Sequence, residues 1–474
     1  MPPERSAPER SGEASPSERS GEPSASEPSE SASAAPEASL PEPAIPEPAT
    51  ENGSLPDAPE HRWFRFITHF FRRAIGPARG LTDPQLFHKI SLAAFMAWVG
   101  LGADGLSSSA YGPEVAFLAL GNATFLAIPL ALLTALTVVI ISSSYMRVIE
   151  RFPSGGGGYV VATKLLGPTA GLISGSALIV DFVLTIAISL ASCSDALFSL
   201  MPHEFHPLKI FATFTLLALL LLLNLRGVRE SVSVISPIFI LFILSHVVAL
   251  AAGVILNWNR IPSEFHHLEE QSSAVVSEMG WVPLLLLLFR AFTLGGGTYT
   301  GIEAVSEGVP MLREPKVETA KTTMRYMAAS LAIIAGGILI GYLLYAVRPI
   351  PGKTLNAVLW TAIVGHAVSP GSTLGTVIVG VIMVSAGALL FVAAQTGFLG
   401  GPRVLVFMAL DRWVPSRFAN LSERLVTSNG VFLMAFAAAA TLLATNGNVH
   451  LLVVLYSINV FLTFTLAQAG MCRD

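Results

Sequence analysis

Ten long runs of apolar residues follow one another along most of this chain, separated by short polar segments. Each run approaches or exceeds the ~20 residues that an α-helix needs to cross a bilayer. The pattern therefore predicts an all-α membrane protein with ten spans. The runs cover 88–120, 124–148, 170–200, 208–225, 231–256, 281–308, 322–347, 373–398, 428–446 and 449–471.

Two of the ten runs, the first and the sixth, are interrupted by glycine and polar residues. The first interruption lies within the segment from Gly100 to Glu114 and the second within the segment from Gly295 to Glu303. Glycines also permit close helix packing, but matched interruptions in two groups of five helices are typical of transporters with inverted repeats. We therefore predict a ten-helix core of the five-plus-five (LeuT/APC-like) type, with repeat one at 88–256 and repeat two at 281–471.

The segment before the first run has a different composition. Residues 1–60 contain thirteen Asp or Glu, thirteen Pro and only three Arg, a composition that predicts a disordered acidic tail. Residues 61–80 have apolar side chains at helical spacing, from Trp63 to Phe71, with basic residues around them. This pattern predicts an interfacial amphipathic helix that lies either on an anionic membrane surface or against the cytoplasmic side of the core.

Charge supports this topology and gives it an orientation. Only 13% of the residues are charged, well below the quarter that is usual in soluble domains. With the N-terminus inside, the predicted cytoplasmic segments hold twenty Lys or Arg and the outer loops hold four. The positive-inside rule therefore predicts a multi-pass protein of the plasma membrane with a cytoplasmic N-terminus. Cys193 and Cys472 lie too far apart in the sequence for a disulfide framework or a cysteine-based metal site.

Three acidic residues within the spans indicate the chemistry of the solute. Asp104 lies inside the first interruption, Glu303 just after the second, and Asp181 inside span three. A centrally placed Asp costs roughly 2.5–3.5 kcal/mol to insert, so each acid needs a partner or a proton. Arg290 in span six is the other charge well inside a span, and it could pair with Glu303 or with an interfacial group.

Hydroxyl groups accompany these acids. Thr185 and Ser189 follow Asp181 at intervals of four residues and share its helix face, although such side chains often bond back to their own helix. Tyr111 and Tyr456 add phenolic oxygens. Carboxyl, hydroxyl and carbonyl oxygens replace the water shell of hard monovalent cations. A free amino acid fits less well, because its carboxylate would meet Asp104, unless that acid is protonated; a polyamine fits better.

Three segments carry a family resemblance: Gly102 to Glu114, Phe152 to Tyr159, and Thr300 to Ala304. They resemble the amino acid–polyamine–organocation (APC) superfamily and, more narrowly, the KimA-type potassium transporters related to the Kup family. The resemblance implies proton-coupled potassium uptake with no other cofactor, with Glu303 or Asp181 carrying the proton. The potassium-binding positions that it implies are Asp104, Tyr111, Asp181, Thr185, Ser189, Thr300, Glu303 and Tyr456.

Two alternatives to potassium import stay open at this stage. One is an amino-acid or polyamine permease on the same scaffold. The other is a sensor or fragment without transport activity, because related transporters continue through two more helices and a soluble domain, whereas this sequence ends at Asp474. The expected partners are the solutes and the lipid bilayer, and a homodimer is compatible with the resemblance. Neither nucleic-acid binding nor enzymatic activity is expected, because the glycines at 155–158 lack the Lys-Ser/Thr of a phosphate loop.

Overall fold

The structure, a computed structural model, describes residues 92–155, 157–226, 232–259, 261–420 and 427–473. All of these residues belong to one compact unit, Trp63–Asp474. The predicted acidic tail at 1–60 and the predicted interfacial helix at 61–80 lie outside the described residues.

The described residues form fifteen α-helices, joined by short 3₁₀ or π-helical turns and loops. In chain order they are α1 (Ala94–Ser107), α2 (Gly112–Ala119), α3 (Ala127–Arg151), α4 (Gly157–Val161), α5 (Pro168–Phe198), α6 (Lys209–Leu225), α7 (Val232–Leu256), α8 (Ile261–Met279), α9 (Trp281–Leu294), α10 (Ala304–Glu307), α11 (Lys316–Leu344), α12 (Leu355–Ala367), α13 (Thr373–Leu410), α14 (Ser428–Thr445) and α15 (Val449–Arg473).

Within the described ranges, nine helical segments are long and apolar enough to cross a membrane. The first predicted span is not among them, because the 3₁₀ turn Ser108–Ala110 divides it into α1 and α2. Large apolar side chains such as Phe436 and Leu132 point outward, with 76% and 68% of their surface exposed. Exposed apolar surface of this kind is stable in lipid and not in water, so the protein is a multi-pass membrane protein.

Helix packing follows the two predicted repeats. The second span (α3) packs along the seventh (α11), and the third (α5) packs along the eighth (α13). The two halves of the first span contact the interrupted sixth span, which is formed by α9, the 3₁₀ segment Gly295–Tyr299 and α10. Each of these pairs joins helices five spans apart, as expected for two inverted repeats. The predicted architecture is therefore confirmed.

Three helical segments differ from the sequence-based expectation. The eighth span was predicted to end near 398, but α13 continues to Leu410, with Pro402 inside it. Pro402 lies against Gly430 of the neighbouring α14, where a Cβ on the glycine would come within 2.9 Å of the proline ring. Two predicted outer loops also contain helices, the polar α8 and the shorter apolar α12.

The two ends of the bundle differ in how tightly they close. At the predicted cytoplasmic end, the Tyr159 hydroxyl donates a 2.5 Å hydrogen bond to Asp411, and the Arg403 side chain donates to the carbonyl of Glu307 at 3.3 Å. At the predicted outer end, a cavity of about 470 Å³ extends inward between α2, α5, α12 and α15. In the part of the chain that the structure describes, these two bonds therefore join elements at the predicted cytoplasmic end, and a cavity lies at the predicted outer end.

Candidate ion- and solute-binding site

Three consecutive serines interrupt the first span. The hydroxyls of Ser107, Ser108 and Ser109 donate to carbonyls three residues earlier, at 2.5–2.7 Å. Such bonds compete with the helical pattern of the backbone, and Pro113 lacks the N–H that would continue it. Tyr111 then takes a non-helical conformation (φ −131°, ψ −34°) before α2 begins.

Backbone groups freed by these interruptions find partners on other helices. The carbonyl of Ala110 accepts a 3.0 Å bond from the Asn356 amide of α12, and Tyr342 donates to the same Asn356 side chain at 2.6 Å. The N–H of Gly297 donates to the hydroxyl of Ser457 on α15 at 2.9 Å. Unpaired backbone groups are costly inside a membrane, so these three side chains stabilise the broken spans.

The two interruptions pack directly on each other. A side chain at Gly112 would place its Cβ 2.7 Å from the backbone nitrogen of Thr298, and the Ser108 hydroxyl donates to the Thr298 carbonyl at 2.8 Å. Gly301 has a φ of +74°, and a Cβ there would lie 2.6 Å from the nitrogen of Gly105 and 2.9 Å from Cγ of Asp104. Glycine is required at both positions, and it brings span six against Asp104.

All three predicted acids are buried beside this crossing. Asp104, Asp181 and Glu303 expose 5%, 2% and 6% of their surface, and each lies near enough to the other two to interact electrostatically. The Thr396 hydroxyl of α13 lies near Asp104, although it donates to the Ala393 carbonyl of its own helix at 2.7 Å. No Lys or Arg forms an ion pair with any of the three among the described residues. The crossing therefore brings together three carboxyl groups that no described basic residue neutralises.

Asn459 of α15 is the main hydrogen-bond partner of Asp181. Its amide donates to the Asp181 carboxylate at 3.1 Å and to the carbonyl of Ala177 at 2.8 Å. Two bonds from one amide fix the position of the carboxylate relative to α5. The hydroxyl of Tyr456, one turn earlier on the same helix, also lies near the Asp181 carboxylate.

The predicted hydroxyl groups complete the site. The Thr185 hydroxyl lies 2.5 Å from that of Tyr456, and the Tyr111 hydroxyl lies 3.3 Å from that of Thr300. Thr185 also bonds back to the carbonyl of Asp181 at 3.0 Å. All four side chains are buried, and the two phenols interact with the acids. The structure thus gathers the predicted residues of spans one, three, six and ten in one region.

Two buried oxygens in this region have no hydrogen-bond partner in the part of the chain that the structure describes. They are the hydroxyl of Ser189, on the same face of α5 as Asp181, and Oε2 of Glu303. A buried polar oxygen without a partner is costly, so such atoms are usually satisfied by a bound ion, a proton or water. Both are therefore suited to contact a transported solute.

One detail of the expected site was wrong, and one of the two partners left open for Arg290 is not observed. Asp104 was placed inside the first interruption, but it lies within α1, one turn before that helix ends at Ser107. The helix continues past Gly105 because the serines, rather than the glycines, divert the backbone. Arg290 is exposed on α9, and within the described residues it forms no ion pair with Glu303. Glu303 lies where expected, immediately before α10.

Four contributing residues were not anticipated: Thr396, Asn356, Ser457 and Asn459. The sequence offers a usable signal for one of them, because Asn459 follows Tyr456 by three residues and so shares its helix face. The other three act through contacts between helices distant in sequence. Spacing along a single helix gives no sign of such contacts.

Comparison with known proteins places this site in a family. The profile of the amino acid permease family matches residues 92–472, which include both interruptions and all eight predicted site residues. The chain belongs to the amino acid permease family. Its fold is that of a membrane transporter, with the family match extending through nearly all of the described residues.

Two individual proteins are similar to this family member. The potassium transporter KimA of Bacillus subtilis (strain 168) is 32% identical over 389 residues, which make up 80% of this chain and 61% of KimA. The chain therefore spans about three fifths of the length of that relative. A solved structure of a substrate-bound, outward-open Na⁺-coupled sialic acid symporter aligns with a TM-score of 0.53 at 11% identity, covering 86% of this chain and 85% of the other. At this identity the second likeness concerns the fold alone.

Proposed function

We propose that this permease-family protein imports potassium across the plasma membrane, coupled to protons, with its N-terminus in the cytoplasm. The observation that carries the proposal is the set of three buried acids at the crossing of the broken spans, surrounded by hydroxyls and without a basic ion-pair partner among the described residues. A monovalent cation bound there gains carboxylate and hydroxyl oxygens in place of its water shell.

The acids also offer a physical basis for coupling. Burial disfavours the ionised form of a carboxyl group, whereas a cation close to it favours that form. Binding of a cation and binding of a proton are therefore antagonistic at the same oxygens. Glu303, with one buried oxygen unpartnered, and Asp181, held by Asn459, are the candidates for the proton carrier.

The similarity to the potassium transporter KimA supports this choice of solute, since that relative shares 32% of the aligned residues. A second candidate function is the import of an amino acid or a polyamine. The observation that favours it is the cavity of about 470 Å³, which has the size of pockets that hold small organic ligands. The acids favour a polyamine over an amino acid, because a substrate carboxylate would be repelled at Asp104.

Growth rescue separates the two candidates. A strain lacking its own potassium uptake systems, expressing this chain, is expected to grow at low external potassium, and Asp104→Asn is expected to abolish that growth. Glu269→Gln is the matched control, because Glu269 is 83% exposed on α8 and its loss should change nothing. Uptake of labelled putrescine or amino acids that Asp104→Asn blocks, without potassium rescue, would support the second candidate and contradict the first.

A further inference from the structure

The polar stripe on α5 continues beyond the residues of the central site. Ser192 and Asp195 follow Ser189 toward the predicted outer end of the helix. At 3.6 residues per turn, these two side chains fall within about 120° of arc of Asp181, Thr185 and Ser189, and fourteen residues from Asp181 to Asp195 span about 21 Å. One face of α5 therefore presents oxygen atoms from the middle of the span to its outer end.

The outer part of this stripe lines the cavity at the predicted outer end of the bundle. Ser192, Asp195, and Glu114 of α2 all contribute to its wall, and Tyr111 lies at its inner limit. The two carboxylates lie close enough to interact electrostatically. A pair of acids alone does not define a cation-binding site, but Ser192 is independent evidence for one. Its hydroxyl is buried, the residue is only 5% exposed, and no described residue bonds to that oxygen.

The carboxylate of Asp195 forms an ion pair with a lysine. Nζ of Lys209, the first residue of α6, lies 2.6 Å from Oδ1 of Asp195, and the two side chains are 34% and 23% exposed. Ion pairs with this much access to water are weak and exchange readily. The ammonium group presents one positive charge to carboxylate oxygens, as a monovalent cation does.

We propose that Asp195, Ser192 and Glu114 form an outer cation site, in which an incoming monovalent cation displaces the Lys209 ammonium from Asp195. The proposal rests on the proposed cation transport and extends it to the access route. From this site the cation moves along the stripe to Ser189, whose hydroxyl is likewise unpartnered, and then to the central acids. The Lys209 ammonium neutralises Asp195 while no cation is bound, and it dissociates from that carboxylate when a cation binds.

Uptake kinetics test the displacement step. The apparent KM for ⁸⁶Rb⁺ supplied from outside is expected to fall roughly two- to fivefold in Lys209→Gln, because an exposed ion pair of this kind contributes up to about 1 kcal/mol. Asp195→Asn should raise it by a similar factor, and Lys209→Arg should not lower it, because a guanidinium keeps the ion pair with Asp195. Arg348→Gln is the control for surface charge, because Arg348 is exposed in a predicted outer loop and does not line the cavity.

If the ion pair between Lys209 and Asp195 only stabilises the packing of α5 against α6, a different result is expected. Lys209→Gln would then reduce the amount of folded protein seen by size-exclusion chromatography and leave KM unchanged. Equal KM values in wild type, Lys209→Gln and Asp195→Asn, with normal wild-type uptake, would overturn the outer site and leave the proposed function intact.

Thiol labelling does not depend on transport, and it therefore tests the outer site separately from the proposed potassium import. In a Cys193→Ser background, a Leu118→Cys variant, whose half-buried side chain lines the same cavity, is labelled from outside with a membrane-impermeant thiol reagent. Potassium, and not choline, is expected to slow labelling, and an added Asp104→Asn change should leave this protection in place while abolishing uptake. Labelling that potassium does not slow would overturn the outer site. Protection without any wild-type cation uptake would support the outer site and contradict the proposed function.

Discussion

The hydroxyl of Tyr111 lies 3.3 Å from the hydroxyl of Thr300 and thereby joins the two interrupted spans. Tyr111 lines the outer cavity, whereas Thr300 is fully buried at the turn before Glu303. The proposed route of a cation from the cavity to the buried acids passes this pair. The contact is therefore both a link between the inverted repeats and a boundary between the open and the buried part of the route.

The first prediction concerns this pair. Tyr111→Phe removes the hydroxyl and keeps the ring, so ⁸⁶Rb⁺ uptake at low concentration is expected to fall roughly two- to tenfold, the range for one buried hydrogen bond. Thr300→Val should have a similar effect. Because the two hydroxyls act together, the double variant should be little worse than either single one. Additive losses measured in the same vesicles would contradict a shared role.

The second prediction concerns Asn459. Asn459→Ala removes the amide that holds the Asp181 carboxylate at 3.1 Å, so the apparent KM for ⁸⁶Rb⁺ is expected to rise roughly ten- to hundredfold, since a bond to a charged group contributes about 1.5–3 kcal/mol. Thr465→Ala is the control on the same helix. The Thr465 hydroxyl bonds only to its own helix and its side chain is exposed. Equal KM values for both variants would show that Asn459 does not orient Asp181.

Much of this site was predictable because its signals are local. The serine and glycine clusters of spans one and six alter the backbone where they occur, and the stripe from Asp181 to Ser189 follows from the helical period alone. Alternating loop charge and apolar run length likewise gave the number and order of the spans. These features depend on neighbouring residues and on the bilayer, both of which are visible in the sequence.

The features that escaped prediction depend on contacts between helices. Asn356 stabilises the first break from α12, a helix in what was predicted to be a loop, and only the fold brings it to Ala110. The continuation of α13 past Pro402, which lies against Gly430 of α14, has no local signal, because a proline usually ends or kinks a helix. Asp104 lies inside α1 because the helix ends at the serines and not at the earlier glycines. The composition of the segment does not show which of these residues ends the helix.

The third prediction concerns the crossing of the two breaks. Gly301→Ala places a Cβ 2.6 Å from the nitrogen of Gly105 at a φ of +74°, which we expect to destabilise the fold by roughly 2–4 kcal/mol. The apparent melting temperature in detergent should fall clearly or folded protein should be lost. Gly380→Ala, in α13, is the control. A Cβ added at Gly380 would meet no atom of a neighbouring residue within 4 Å, so the change should be neutral or slightly stabilising. Equal melting temperatures would contradict the close crossing.

The fourth prediction concerns coupling. Glu303→Gln replaces the carboxyl by a neutral amide of similar shape, which cannot gain or lose a proton. In vesicles loaded at neutral pH and placed in acidic medium, the proton gradient should accelerate ⁸⁶Rb⁺ uptake by wild type and have no effect on the variant. Retained acceleration in Glu303→Gln, together with its loss in Asp181→Asn, would assign the proton to Asp181 instead.

Cation binding to the purified protein tests the central claim most directly, because it requires neither orientation nor coupling. In a scintillation proximity assay, wild type is expected to bind ⁸⁶Rb⁺, with potassium displacing it and alanine leaving it bound. Asp104→Asn and Asp181→Asn should each abolish binding at the central site, whereas Glu269→Gln should not. Undiminished ⁸⁶Rb⁺ binding in both variants, or displacement by alanine or putrescine and not by potassium, would contradict a cation site built from these buried acids.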